Sequence, residues 1–199
     1  MTIDIDEAKV ERSEIGLWLR WTVATAGGML LGFLPTVLLV NVLDLGLAQI
    51  VVPVLAGATI GFAQWIVLRR YVTAGSNWEL VDGTSWAAGY VLGLLLIQTL
   101  PSTIFIEFIG YLLFGVIVAL VQWPVLRREI PNLFVWIVAS SLGWAAGFWT
   151  SQAVLPLFFT DPVIEPAVST TVIAVTSGLV AGIITGIALI WIVRKPELT

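Results

Sequence analysis

The sequence contains no cysteine and no histidine. Without cysteine there is no disulfide, no thiolate metal site and no cysteine nucleophile. Without histidine the commonest metal ligand and general base is missing too. Charge is also scarce. Asp, Glu, Lys and Arg make up 11% of residues, against about 25% in a soluble domain. So few charges cannot wet a whole surface and must be confined to small polar zones. Apolar residues, by contrast, are abundant: 59% of 199 residues, with a mean hydropathy of +1.02. These are the proportions of a multi-pass membrane protein.

The first 15 residues are acidic, with Asp4, Asp6, Glu7, Glu11 and Glu14 against Lys9 and Arg12. A secretory signal has a basic start, a short apolar core and a small-residue cleavage site, and none of these is present. Residues 1–15 are expected to form a cytoplasmic N-terminal segment, as a short helix or a loose tail. Thr2 stands where myristoylation needs glycine, and the thiol-linked lipids need a cysteine.

A helix needs about 20 apolar residues to cross the hydrocarbon. Six segments qualify: 17–40, 48–68, 78–98, 104–126, 134–155 and 169–193. Residues 16–199 are therefore expected to form a single six-helix transmembrane domain, all α. All nine basic residues (Lys9, Arg12, Arg20, Arg69, Arg70, Arg127, Arg128, Arg194 and Lys195) lie before span one, in its first turn, or just after an even-numbered span. The other side carries only Asp44, Glu107, Asp161 and Glu165. An excess of Lys and Arg marks the cytoplasmic side, so both termini are expected there, in a bacterial inner or photosynthetic membrane. Trp18, Trp21, Trp65, Trp78, Trp123, Trp136 and Trp191 lie close to these charges and are expected to form an aromatic belt at headgroup level.

The chain repeats itself. Gly57, Gln64-Trp65, Val67-Leu68-Arg69-Arg70, Trp78 and Trp86-Ala87-Ala88-Gly89 recur 58 residues later. The second copy is Gly115, Gln122-Trp123, Val125-Leu126-Arg127-Arg128, Trp136 and Trp144-Ala145-Ala146-Gly147, giving 12 identities over 33 ungapped positions. Span one matches span five through Trp21, Ala24, Gly28, Gly32 and Trp136, Ala139, Gly143, Gly147. Span three is a looser copy, with Trp78, Val81, Ser85 and Gly89. In span six, Gly178, Gly182, Thr185 and Leu189 take the places of Gly57, Gly61, Gln64 and Leu68. Three hairpins follow, at roughly 16–70, 71–128 and 129–195. Parallel repeats are related by an axis along the membrane normal, and the simplest closed form is a pseudo-threefold six-helix bundle. On span one Trp21, Ala24, Gly28 and Gly32 share a helix face, and on span two Gly57, Gly61, Gln64 and Leu68 do. Small residues drive helix association in lipid, so Gly28, Gly32, Gly57, Gly61, Gly89, Gly115, Gly143, Gly147, Gly178 and Gly182 are expected at helix contacts.

Two sets of equivalent positions are polar: Gln64, Gln122 and Thr185, and Gln49, Glu107 and Thr170. They act either as interhelical hydrogen-bond glue or as a polar ring lining a central site. A buried amide costs several kcal/mol in lipid unless it is bonded. Glu107 opens span four, where a helix N-terminus favours a carboxylate, and Asp82 has the same support plus Arg69 and Arg70 nearby. Glu79 and Asp82 are read as a solvated pair at the cytoplasmic edge. Arg69, Arg70, Arg127, Arg128, Arg194 and Lys195 are candidate contacts for lipid phosphates.

The Gln-Trp-x-x-Leu-Arg helix ends at residues 64–69 and 122–127, each followed by Trp and then Trp-Ala-Ala-Gly, resemble a group of uncharacterised bacterial multi-pass membrane proteins, many of them from photosynthetic bacteria. The resemblance covers residues 16–195 and implies the fold. It brings no activity and no site, and Thr185 departs from its pattern. Size and span number are also similar to the substrate-binding membrane subunits of energy-coupling-factor transporters, although no substrate motif falls on any span.

No metal spacing, phosphate loop or catalytic constellation is present, so the chain is not expected to be an enzyme. Two functions remain open. One is a non-catalytic membrane subunit or scaffold that contacts partner proteins, lipids or lipophilic cofactors. The other is a small transporter or solute-binding subunit with its site at the repeat interface. No metal and no nucleic acid is expected as a partner. A carotenoid or other lipophilic pigment would need only apolar grooves and aromatic walls, for which Trp86, Trp144 and Trp149 are the candidates. A water-filled cavity reaching the polar residues favours transport, whereas a dry centre favours the subunit.

Overall fold

In a bilayer the backbone finds no water, so each apolar run must satisfy its own amides and carbonyls, and it does so as a helix. The computed structural model describes residues 5–39, 45–71, 78–100, 103–127, 133–158 and 166–193. They form six helices: α1 (Ile5–Leu39), α2 (Leu45–Leu68), α3 (Trp78–Thr99), α4 (Ile104–Leu126), α5 (Leu133–Phe158) and α6 (Pro166–Val193). There is no strand among the described residues. Five of the helices are long and apolar enough to cross a membrane. The first turns of α3 hold Glu79, Asp82, Thr84 and Ser85. At the other end, α1 runs unbroken from Ile5, so residues 5–15 of the acidic segment continue the first span as helix.

Each helix packs on its chain neighbours and α6 returns to pack on α1, which closes a ring. The contacts at glycine give the directions. A Cβ on Gly28 would lie 2.6 Å from Ile60 Cα, and one on Gly32 the same distance from Ala56 Cα. Residue numbers rise on one helix as they fall on the other, so α1 and α2 are antiparallel. Gly147 meets Ser177 O at 2.6 Å, while Gly143 is looser, with Thr185 Cγ2 at 3.2 Å. The contacts of α2 with α3, α4 with α5 and α6 with α1 are as tight. A Cβ on Gly57 would lie 2.7 Å from Trp86 Cβ, one on Gly115 2.5 Å from Ser141 Cα, and those on Gly178 and Gly182 2.8 and 2.9 Å from Ala26 and Thr22 Cα. Between α3 and α4, a Cβ on Gly89 would lie 2.6 Å from the Phe114 ring. The expected glycine contacts are thus present at nine of ten positions, and the tenth, Gly61, is buried.

With neighbours antiparallel, α1 starts at the end where α2 and α4 finish. Arg20, Arg69, Arg70 and Arg127 therefore share one end of the ring. The exterior is apolar, with Phe134 72% and Leu157 80% exposed, while Thr25, Gln64, Asp82, Ser85, Gln122, Ser140, Ser177 and Thr185 are buried. An apolar exterior with its polar side chains turned inward is the arrangement lipid requires.

Candidate functional site

The odd-numbered helices turn their large side chains to the middle of the ring. Near the arginine-bearing end lie Trp21, Trp78 and Trp136, each no more than 2% exposed, with Leu68, Leu126 and Leu189. The Trp21 and Trp136 rings meet edge-to-face at 6.2 Å. This corrects the aromatic-belt expectation for these three residues. They sit on the same face as the glycine stripe, and that face turns inward. Trp18, Trp65 and Trp123 are half-buried and Trp191 is exposed.

Deeper in the ring, Met29, Trp86 and Trp144 form a second layer with Ile60, Val118 and Ala181. Trp86 packs edge-to-face on Trp144 at 4.8 Å and on Phe114 at 5.0 Å, and Phe33 reaches Trp86 from α1 at 6.3 Å. Trp86 and Trp144 are thus walls of the interior, and neither offers an outer groove to a pigment. Trp149 does face outward and stacks edge-on with Phe108.

Between the two aromatic layers runs a belt of hydrogen bonds. Trp78 Nε1 donates to Gln64 Oε1 at 3.2 Å, and Gln64 Nε2 donates to Thr25 Oγ1 at 3.0 Å. Trp136 Nε1 donates to Gln122 Oε1 at 2.9 Å, and Gln122 Nε2 donates to Asp82 Oδ1. Trp21 Nε1 donates to Thr185 Oγ1 at 2.9 Å. Each glutamine thus ties its own helix to the helices on both sides, α1 and α3 for Gln64, α3 and α5 for Gln122. The chemistry fixes the orientation. An indole N–H can only donate, so each amide must turn its oxygen to the tryptophan and its NH₂ to the other neighbour.

Asp82 is the residue that sequence reasoning misplaced. It is 1% exposed rather than solvated, and no arginine pairs with it among the described residues. The signal was present in the repeat: four residues after Trp21, Trp78 and Trp136 come Thr25, Asp82 and Ser140, all polar. Four buried polar atoms have no hydrogen-bond partner among the described residues: Thr22 Oγ1, Asp82 Oδ2, Trp86 Nε1 and Ser141 Oγ.

The other candidates are less assembled. Glu107 is half-buried in the first turn of α4, where Thr103 Oγ1 caps the helix by accepting from Ile106 N. Thr170 is half-buried in α6, and the side chain of Gln49 lies outside the described residues. Arg69, Arg70 and Arg127 are exposed, and the Arg69 guanidinium sits 5.1 Å above the Trp65 ring. Arg128, Arg194 and Lys195 lie outside the described residues, as does the side chain of Glu79. No group of three or more acidic side chains that could hold a metal occurs among the described residues. The chain matches no protein-family model, no curated protein and no solved structure.

Proposed function

We propose that this chain is a non-catalytic integral membrane protein, a rigid scaffold or subunit whose apolar exterior engages lipids and partner membrane proteins. All six helices cross the bilayer, as three parallel hairpins about a pseudo-threefold axis. The arginine-bearing end faces the cytoplasm of a bacterial inner or photosynthetic membrane. Kinship with the bacterial proteins that share its Gln-Trp-x-x-Leu-Arg ends is part of this reading.

The observation that carries the reading is the filled centre. Two stacked aromatic layers occupy the axis that a transport pathway would need. Gln64, Gln122 and Thr185, the side chains a solute would have to address, already spend their polar groups on neighbouring helices. The recurrence of Trp-to-amide bonds on α2–α3 and α4–α5, and of Trp-to-Thr on α6–α1, supports the threefold arrangement. Arg69, held over Trp65 at the ring's end, suits a lipid phosphate there.

The test uses photo-crosslinking residues introduced in native membranes. At the exposed positions Phe62, Leu142 and Ile187 they should capture lipid and one defined partner protein. At the buried positions Ile60 and Val118 they should crosslink only within the chain. Proteoliposomes should hold ions and small solutes as tightly as empty vesicles. Protein-dependent solute flux, or lipid-only capture at every exposed position, contradicts the scaffold reading.

A further inference from the structure

The second copy of the hydrogen-bond belt differs from the first in one atom's worth of chemistry. In the first, Gln64 Nε2 donates to Thr25 Oγ1, and that hydroxyl passes its own proton to Trp21 O at 2.9 Å. Each of these side chains has a hydrogen-bond partner and the site is neutral. In the second, Asp82 holds the equivalent position: Trp21 to Thr25 and Trp78 to Asp82 are both four residues, and Gln122 stands 58 residues after Gln64. Asp82 Oδ1 accepts from Gln122 as Thr25 does from Gln64. Ser85 Oγ donates to the Asp82 backbone carbonyl at 2.7 Å. Oδ2 is buried and has no hydrogen-bond partner among the described residues. A threonine would therefore serve the architecture at lower cost, because a buried carboxylate is far dearer to desolvate than a hydroxyl. What an aspartate adds is one oxygen and the capacity to carry charge.

We propose that Asp82 is a reversible proton-binding site inside the bundle, with Oδ2 as the atom that takes the proton. A hydronium ion arriving at the arginine-bearing end gives H⁺ to an Oδ2 lone pair. One O–H bond forms, one water is released, the side chain goes from −1 to 0, and no electron changes hands. Asp82 lies about one turn inside Trp78, the first residue of α3, so the path from that end is short. Oδ1 keeps its bond to Gln122 in both states, since the fixed amide offers it a donor throughout.

The surroundings suit a proton better than a metal ion. Calcium takes 6–8 oxygens and magnesium about six, whereas this site has one unpartnered oxygen. The polar groups beside it are the Gln122 NH₂ and the Ser85 hydroxyl. Fixed charges are distant or exposed on every element around α3. α2 has no ionisable residue before the exposed Arg69 and Arg70 and the half-buried Tyr71. α4 carries Glu107 and Tyr111 toward its other end and Arg127, exposed, just past its last residue. Along the described length of α5 there is no ionisable residue. Among the side chains described on α1, the ionisable ones are Glu14, half-buried, and Arg20, exposed, at the arginine-bearing end. On α3 itself the other ionisable groups are Glu79 and the exposed Tyr90.

The test is infrared spectroscopy of the full chain in lipid nanodiscs while the pH is stepped up and down. A carbonyl band of a protonated carboxyl in an apolar setting should appear and vanish reversibly, amount to one proton per chain, and shift when aspartate carries ¹³C. It should be lost in Asp82→Asn, which keeps the acceptor oxygen, and in Asp82→Thr, which copies the Thr25 arrangement and should fold. Absence of any titrating ¹³C-sensitive band in the folded wild type overturns the proposal without recourse to a variant. So does a band that survives both substitutions, or one abolished by adding sodium at fixed pH.

Discussion

Trp78 and Trp136 each supply the single proton that holds a buried glutamine oxygen, so replacing either with phenylalanine removes a donor and leaves an acceptor stranded. The cost of such an orphan is about 1–3 kcal/mol. Trp21→Phe should cost less. Its partner Thr185 Oγ1 still donates to Ala181 O at 2.7 Å, and a hydroxyl loses only one acceptor role. Denaturant titration of the three variants in micelles should rank Trp21→Phe as the mildest, and equal losses would contradict the hydrogen-bond assignment. At this scale the sequence was partly legible. The glutamines announced themselves because an amide in an apolar run needs a partner. The three buried tryptophans were harder, because a tryptophan near arginines satisfies both a headgroup belt and a core. What separates the two is the helix face: Trp21 stands seven and eleven residues before Gly28 and Gly32, whereas on α2 the places seven and eleven residues after Gly57 belong to Gln64 and Leu68. Asp82 was misread for a related reason. Its neighbours in sequence, Glu79 and the Arg69–Arg70 pair, suggested water, and only alignment with Thr25 placed it among buried residues.

The helices were the most legible part. Spans read from apolar runs fall within a few residues of the observed elements, except at α1. Hydropathy marks how much of a helix lies in lipid, and the acidic stretch from Ile5 is helix that hydropathy does not detect. α3 was the least regular copy, because its first turns hold Asp82, which bonds to α4. Helix contacts yield a graded prediction. Gly115→Ala would drive a methyl to 2.5 Å from backbone atoms of Ser140 and Ser141, which cannot move without displacing α5. It should destabilise the bundle by about 1–3 kcal/mol, as overpacking does. Gly143→Ala meets only a threonine methyl at 3.2 Å and should be milder, although Gly143→Leu should disrupt assembly. Gly27 and Gly93 have open space around them, so alanine there should be neutral or gain up to about 1 kcal/mol of helix propensity. Thermal unfolding in detergent would reveal the order, and a Gly115→Ala variant as stable as Gly27→Ala would refute the close approach.

For the whole molecule, ring closure depends on agreement between the two kinds of seam. The contacts α1–α2, α4–α5, α5–α6 and α6–α1 set glycine against backbone, whereas α3 meets α4 through Gly89 against the Phe114 ring. The centre is then filled by tryptophans of the odd-numbered helices with leucines, Ile60, Phe114 and Val118 of the even-numbered ones, and this is what argues against a pore. The absence of native cysteine permits a direct measurement. Single cysteines placed at Ile60, Val118, Arg69 and Arg127 can be challenged with a membrane-impermeant maleimide from each side of sealed vesicles. The account predicts that Arg69→Cys and Arg127→Cys react from one and the same side, and that Ile60→Cys and Val118→Cys react from neither until the protein is unfolded. Labelling of the interior positions in the folded protein, or of the two arginine positions from opposite sides, would contradict it.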